Sequence, residues 1–251
     1  GVRIHYEVEG KGPPLVLLHG LGGSLEMWRE TGHVEALKDD YRLILIDARG
    51  HGVSDKPHDP ESYRMELMVT DVVAVLDDIN VSKAHFLGYS MSGVIGFGIA
   101  KYVPERFRTL IIGSAQPYNQ DSWKNNMLHL FRKGRKATLV AVEEMWGPRM
   151  TPWVKTVCLT NDLKALIALT SARWLSLEDV LPTMTMPCLI FVGEIDGVYS
   201  DAKKCAESIP NATFVSLPSL NHIECLYRTD LMLPHITQFL MSVDNSFSWS
   251  K

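Results

Sequence analysis

The sequence predicts an α/β fold, a mostly parallel sheet of the eight-stranded type with helices on both faces and an inserted helical piece. Three observations carry that expectation. Short continuous apolar runs recur at Leu15-Val16-Leu17-Leu18, Leu43-Ile44-Leu45-Ile46, Ala84 to Tyr89, Arg108 to Gly113 and Cys188 to Val192. Strands buried on both faces read this way, which is the habit of parallel sheets. Segments of helical periodicity separate the runs, and alternation of strand with helix implies parallel crossovers. Glycine-rich loops follow the strands, at His19 to Ser24 and Asp47 to Asp55.

Composition bounds the class. A chain of 251 residues can bury a large core, and 46% hydrophobic with 22% charged residues is ordinary for a soluble globular protein. A net charge of -4 argues against a nucleic-acid partner. The one basic run, Arg132-Lys133-Gly134-Arg135-Lys136, reads as the solvated end of two helices. No apolar stretch is long enough to span a bilayer. The four cysteines, Cys158, Cys188, Cys205 and Cys225, are far apart and form no C-x-x-C or Cys/His cluster. They read as free thiols in a reducing compartment, so a cytoplasmic location is expected and no metal site. With no G-x-G-x-x-G and no Walker loop, no cofactor is expected. Oligomeric state leaves no signal.

Taken in order, Ile4 to Val8 alternates as a first strand that begins abruptly, so residues are expected ahead of Gly1; nothing there resembles a signal peptide. Glu9 to Pro14 is a turn cluster. A helix is predicted around Trp28 to Leu37, and another over Met65 to Ile79, with Leu67, Met68, Val72, Val75, Leu76 and Ile79 on its apolar positions. The strand Ala84 to Tyr89 runs into Ser90, and Val94 to Tyr102 is the helix leaving it. From 117 to 182 no strand pattern appears. Leu128 to Phe131, Ala137 to Trp146 and Leu163 to Leu175 look helical, and the segment holds Trp123, Trp146, Trp153 and Trp174. The predicted organisation is a core of 1–116 and 183–251 with a helical lid of 117–182. The core resumes with a helix over Ala202 to Ser208, a strand over Thr213 to Leu217, the loop Pro218 to His222 and a last helix from Cys225 to Leu240. The tail from Asp244 to Lys251 receives no role.

The chemistry centres on Gly88-Tyr89-Ser90-Met91-Ser92-Gly93, read as strand, very tight turn and helix. A serine there is held in a strained conformation with its hydroxyl exposed. The plainer reading is a serine that merely caps the helix. Three further loops sit at strand ends, at His19-Gly20-Leu21, Asp196 and His222. Parallel strands point the same way, so these loops crowd one edge. A serine needs an adjacent base to act as a nucleophile. His222 is the candidate base and Asp196 the carboxylate that orients it. The order Ser, Asp, His goes with a nucleophile on such an elbow. An oxyanion needs fixed donors, assigned to the backbone N–H groups of Leu21 and Met91.

With these residues in place, the sequence resembles the α/β-hydrolase superfamily along essentially its whole length. The resemblance rests on His19-Gly20-Leu21-Gly22-Gly23-Ser24, Asp47-Ala48-Arg49-Gly50-His51-Gly52-Val53-Ser54, Gly88 to Gly93, Gly193-Glu194-Ile195-Asp196 and Asn221-His222. Two positions depart from it: Ser92, where many members have glycine, and Asn221, where glycine commonly precedes the histidine. The family motif places the acid at Asp196 rather than at its rival Glu194. It also implies structural roles for His19, His51 and Arg49, while His85 reads as a core histidine. Trp28, Tyr89, Trp123 and Trp146 are the residues expected to touch substrate, although Trp28 also fits the core.

The implied function is a cofactor-free serine hydrolase of a small-molecule ester or lactone with an apolar acyl part. Within the superfamily the chain is similar to lidded esterases and lactonases, including 3-oxoadipate enol-lactonases and the N-acyl-homoserine lactonase type. The Trp-, Met- and Leu-rich lid favours the acyl-homoserine lactone, since a dicarboxylate-like substrate demands buried Arg or Lys; Arg132 to Lys136 keep that option open. The rival readings are a general carboxylesterase, a perhydrolase or cofactor-free haloperoxidase, a carbon–carbon hydrolase, and a non-catalytic ligand receptor on the same scaffold.

Overall fold

The computed structural model describes residues 1–119 and 121–245; the tail from 246 on lies outside them. One sheet contains β1 (Tyr6–Glu9), β2 (Pro14–Leu18), β3 (Arg42–Ile46), β4 (Ala84–Tyr89), β5 (Phe107–Gly113), β6 (Cys188–Gly193) and β7 (Ala212–Leu217). Their spatial order is β1-β3-β2-β4-β5-β6-β7. β1 runs antiparallel to β3, and every other neighbouring pair is parallel. The sheet is therefore mostly parallel as expected, with seven strands among the described residues rather than eight. The five apolar runs named above supply β2 to β6, and β1 and β7 complete the sheet.

The helices are α1 (Met27–Glu30), α2 (His33–Leu37), α3 (Met65–Asp78), α4 (Met91–Tyr102), α5 (Asp121–Arg132), α6 (Arg135–Trp146), α7 (Pro152–Thr160), α8 (Leu163–Ser171), α9 (Tyr199–Glu207), α10 (His222–Tyr227) and α11 (Thr229–Asp244). Successive strand residues face opposite sides of the sheet. Val16, Leu18, Ile44, Ile46 and Phe86 pack with α3, α4 and α9 on one side. Leu15, Leu17, Leu43, Leu45 and Leu87 pack with α1, α2, α10 and α11 on the other. That double burial is why the strands read as continuous apolar runs.

Three elements differ from the sequence reading. The helix expected over Trp28 to Leu37 is two, α1 and α2, parted at Thr31 and Gly32. The last helix is also two, α10 and α11, parted at Arg228. α7 has no counterpart among the predicted helices, although Thr151 and Pro152 announce it: the Thr151 side chain accepts from Val154 N–H at 3.2 Å and Pro152 occupies the first turn.

Helices α5 to α8 lie between β5 and β6 and are tied to the core by their last stretch. Trp174 Nε1 donates to the Tyr63 carbonyl at 2.7 Å, and Lys124 Nζ donates to the Ala172 carbonyl while lying 5.0 Å from the Trp174 ring centre. Burial pushes the Lys124 amine down to about 8. Within the basic run, Arg135 donates to the Leu159 carbonyl and to that of Cys158 at 3.4 Å, satisfying the end of α7. At the opposite side of the molecule, Asp244 at the end of α11 accepts from His85 Nε2 at 3.0 Å and from the Tyr41 hydroxyl at 3.1 Å. His85 is fully buried, as the core reading expected, with Nδ1 2.8 Å from Thr109 Oγ1.

The strand order positions the site. β3 lies on one side of β2 and β4 on the other, so the connections diverge and leave a crevice at the carboxyl ends of β2 and β4. α4 starts at once after β4 because the two backbones nearly touch. A Cβ on Gly88 would lie 2.4 Å from the Ser92 carbonyl oxygen and 2.6 Å from its carbon. Gly88→Ala should therefore cost about 2 kcal/mol or more in urea unfolding. Gly197→Ala, whose Cβ would meet nothing within 4 Å, should leave the midpoint unmoved. Equal midpoints for the two variants would show that this approach is not a constraint.

Candidate active site

Ser90 stands between β4 and α4 with φ 56° and ψ -116°, a region that a side-chain-bearing residue occupies only under constraint. Its N–H is held by the Gly113 carbonyl at 2.8 Å. Its hydroxyl lies 2.9 Å from His222 Nε2. His222 Nδ1 lies 2.8 Å from Asp196 Oδ2. A carboxylate only accepts, so Nδ1 carries the proton and Nε2 is left to accept from Ser90.

Asp196 follows β6, where its other oxygen accepts from Val198 N–H at 3.1 Å. Burial alone would raise this carboxyl, but the bonds to His222, Val198 and Ser114 outweigh burial and hold it below its ordinary value. The rival Glu194 is occupied elsewhere, its oxygens accepting from Ser216 Oγ at 3.2 Å and Ser219 N–H at 3.3 Å. Asp196 is the carboxylate at His222.

The two departures from the family pattern have visible work. Asn221 is the N-cap of α10: its Oδ1 accepts from Ile223 and Glu224 N–H, and Glu224 reaches back to Asn221 N–H. This capping box fixes His222 as the first residue of the helix. Ser92 Oγ donates to the His19 carbonyl and so ties α4 to the loop after β2.

That loop lies against Ser90, with a Cβ on Gly20 reaching within 3.4 Å of Ser90 Cβ. Gly23 N–H bonds the Gly20 carbonyl at 3.1 Å, and Gly22 N–H bonds His51 Nε2 at 3.0 Å. The Leu21 N–H has no acceptor among the described residues, and Met91 N–H belongs to the first turn of α4, where helix geometry supplies none. His51 donates its Nδ1–H to the Arg49 carbonyl at 3.1 Å, and His19 donates its own to the Gly20 carbonyl at 2.8 Å while accepting from Ala48 N–H at 3.1 Å. Arg49 is clamped on Asp71 by two bonds of 2.6 Å. These side chains brace the loop, as expected for them.

Ser90, His222, Gly20 and Leu21 open onto a cavity of about 180 Å³ beneath α5 to α8. Trp123, Met127, Leu130, Met145, Trp146 and Trp153 line it, and no Asp, Glu, Lys or Arg does so among the described residues. Trp123 and Trp146, expected to touch substrate, are both part of this lining. Tyr89 also lines the cavity, but its hydroxyl turns away from it, donating to the His222 carbonyl at 2.5 Å and lying 3.0 Å from Ser114 Oγ. Trp28 corrects the sequence reading. It is wholly buried in the core beneath α1, edge-on to His33 at 4.8 Å, and its neighbour Met27 reaches the cavity instead. Trp153, named among the tryptophans of the insertion but not among the substrate contacts, and Met127 line the cavity too, because periodicity marks an apolar face without saying whether it covers core or cavity.

Two buried histidines give a pH signature. Burial pushes His33 to about 3, and burial with the field of His19 pushes His51 to about 3. Their unfolded value is about 6.5, so the folded state binds fewer protons below that pH. Their stabilising effect is complete above about 6.5 and is lost as pH falls toward about 3, with a slope of up to about 1.4 kcal/mol per pH unit per histidine. Urea midpoints should fall steadily between about pH 7 and pH 5; a flat profile would contradict neutral burial.

Comparison with known proteins agrees with this architecture. A model of the alpha/beta hydrolase fold matches residues 13–186. 3-oxoadipate enol-lactonase 1 of Acinetobacter baylyi is 28% identical over 211 residues, covering 79% of this chain and 77% of that protein. Epoxide hydrolase 4 of Mus musculus is 37% identical over 114 residues, covering 45% of this chain and only 31% of that protein. The match to 3-oxoadipate enol-lactonase 2 of Acinetobacter baylyi likewise spans less than half of that protein, at 42%. Among solved structures, the enol-lactonase from Burkholderia xenovorans superposes with a TM-score of 0.86 at 24% identity, covering 96% of this chain and 97% of that one. With the matched model spanning β2 through α8, more than half of the chain, the chain belongs to the α/β-hydrolase fold family.

Proposed function

We propose that the protein is a serine hydrolase of uncharged carboxylic esters or lactones with an apolar acyl part, acting through an acyl-enzyme. The observation that carries this reading is Ser90 Oγ, 2.9 Å from His222 Nε2, at the floor of a cavity lined without charged side chains among the described residues. His222 takes the Ser90 proton as Oγ attacks the carbonyl carbon. The resulting oxyanion is received by the N–H groups of Leu21 and Met91. His222 then returns the proton to the departing alkoxide, and water releases the acyl group by the same route. Asp196 keeps the imidazole in the required tautomer and stabilises its cation. In a lactone the alkoxide stays tethered to the acyl group, so the same groups suffice.

In this reading the insertion from 117 to 182 is the lid of the pocket, and Trp123, Trp146 and Trp153 pack on the acyl chain. An N-acyl-homoserine lactone has the neutral head and apolar tail that such a cavity suits. A lactone of 3-oxoadipate keeps a carboxylate, and burying it without a partner is costly. The basic run that would have served it lies outside the cavity lining, with Arg135 engaged at the end of α7. Epoxide opening fits poorly as well. Attack by Ser90 on an epoxide carbon gives an ether, which the same groups have no carbonyl to cleave.

Hydrolysis of p-nitrophenyl butyrate, of hexanoyl-homoserine lactone and of the p-nitrophenyl monoester of glutaric acid tests this directly. The neutral substrates should exceed the carboxylate-bearing one by about 100-fold or more in kcat/KM. Ser90→Ala should be silent, and Asp196→Asn should lose about 10⁴ in kcat. A fluorophosphonate probe should label Ser90, whereas a receptor on this scaffold would take no label. Turnover by Ser90→Ala at the wild-type rate would end the serine reading.

A further inference from the structure

One side chain hydrogen-bonds the helical insertion to the loop that carries Leu21. Asn161 ends α7, with its N–H on the Val157 carbonyl at 2.9 Å, and is nearly buried at 8% exposure. Its side-chain Nδ2 crosses to the core and donates to the Gly22 carbonyl at 2.9 Å. Gly22 is the residue directly after Leu21, and its own N–H is already fixed by His51 Nε2 at 3.0 Å. Gly22 is thus gripped on both polar groups, from below by a core histidine and from above by the insertion. Next in sequence, Asp162 caps α8 with Oδ1 on the Lys164 and Ala165 N–H groups, and its Oδ2 lies 2.9 Å from His58 Nε2, in the loop after β3. Residues 161 and 162 therefore anchor the insertion to two core loops at once.

We propose that Asn161 is a positioning residue for the oxyanion site: by holding the Gly22 carbonyl, its side-chain amide sets the direction of the neighbouring Leu21 N–H. Transition-state stabilisation then depends on how the insertion is seated, not only on the core that supplies the donors. This inference rests on the acyl-enzyme reading above. The chemistry requires it to act late in the reaction coordinate. A ground-state ester oxygen makes weak demands on donor direction, whereas a full oxyanion gains from a donor aimed at it and loses when the donor swings away. His51 holds the Leu21–Gly22 peptide by its N–H, the Gly20 carbonyl holds the Gly22–Gly23 peptide by its N–H at 3.1 Å, and Asn161 holds the carbonyl end of that same peptide.

The test uses Asn161→Ala and the near-isosteric Asn161→Asp, which keeps the volume but has no N–H to donate when ionised. For p-nitrophenyl butyrate, kcat should fall on the order of tenfold to a hundredfold in both, with KM changed by less than about twofold. Binding of an alkyl boronic acid, whose tetrahedral adduct with Ser90 presents an oxygen to the Leu21 and Met91 N–H groups, should weaken by a similar factor. A role confined to stability would lower the melting temperature and leave kcat and boronate affinity intact in the folded fraction, and that result would overturn the proposal. So would a rise in KM alone, which would make Asn161 an ordinary substrate contact. A wild-type protein that neither cleaves esters nor binds the boronate would remove the acyl-enzyme reading itself, and the proposal with it; active wild type with unaffected variants would remove only the role of Asn161.

Discussion

The close approach of β4 and α4 is the constraint on which the rest depends. With no Cβ at position 88, the helix turns out of the strand within one residue, and Ser90 is forced to φ 56° at the corner. The corner does three things at once. It lifts the hydroxyl off the sheet edge, it leaves the first N–H groups of α4 facing the same space, and it brings Ser92 under the loop after β2, where its hydroxyl binds the His19 carbonyl. The strain is tolerated because both flanks are fixed, by the Gly113 carbonyl on the Ser90 N–H and by the packing of α4 into the core.

Hydrogen bonding around this corner leaves one carboxylate facing the imidazole, while the Arg49–Asp71 pair is spent within the bracing loops. His19 and His51 are buried and neutral, serving as paired donor and acceptor in a brace of loops. Asp196 is the buried carboxylate at His222, and its partners favour the ionised form. The cavity above adds apolar surface and no charge among the described residues. In low-dielectric surroundings, a single carboxylate aligned with one imidazole acts with little competition.

Much of this was legible in the residues because it is local. Continuous apolar runs of four to six residues announce strands buried twice over, and small residues on either side of Ser90 announce a tight elbow. Asp196, His222 and Ser90 could be placed at strand ends, and parallel strands then bring strand ends together. What was not legible depends on which way a side chain turns once the helix is docked. Trp28 and Met27 are adjacent in sequence, yet one is core and the other reaches the cavity. α7 is marked less by its interior than by its start, since Val154, Thr156, Val157 and Thr160 are β-branched and of lower helix propensity, while Thr151 and Pro152 are its cap and first-turn signals. The breaks at Gly32 and Arg228 divide patterns that look continuous in periodicity alone. Asn161, a lone amide between two helices, has no motif to mark it; only its reach across 139 residues of sequence to Gly22 gives it meaning.

The contact at Asp244 has a bearing on how the chain is made. Tyr41 and Asp244 are separated by 203 positions, and His85 and Asp244 by 159. Tyr41 and His85 are buried polar groups, and their shared acceptor is the last residue of α11. During synthesis the sheet's first strands leave the ribosome long before that carboxylate does. Until it arrives, the bonds of Tyr41 and of His85 Nε2 to that carboxylate cannot form. Closure by α11 therefore pins the start of β4 and the approach to β3 through one carboxylate, so these early elements reach their final hydrogen bonding only when the end of that helix docks.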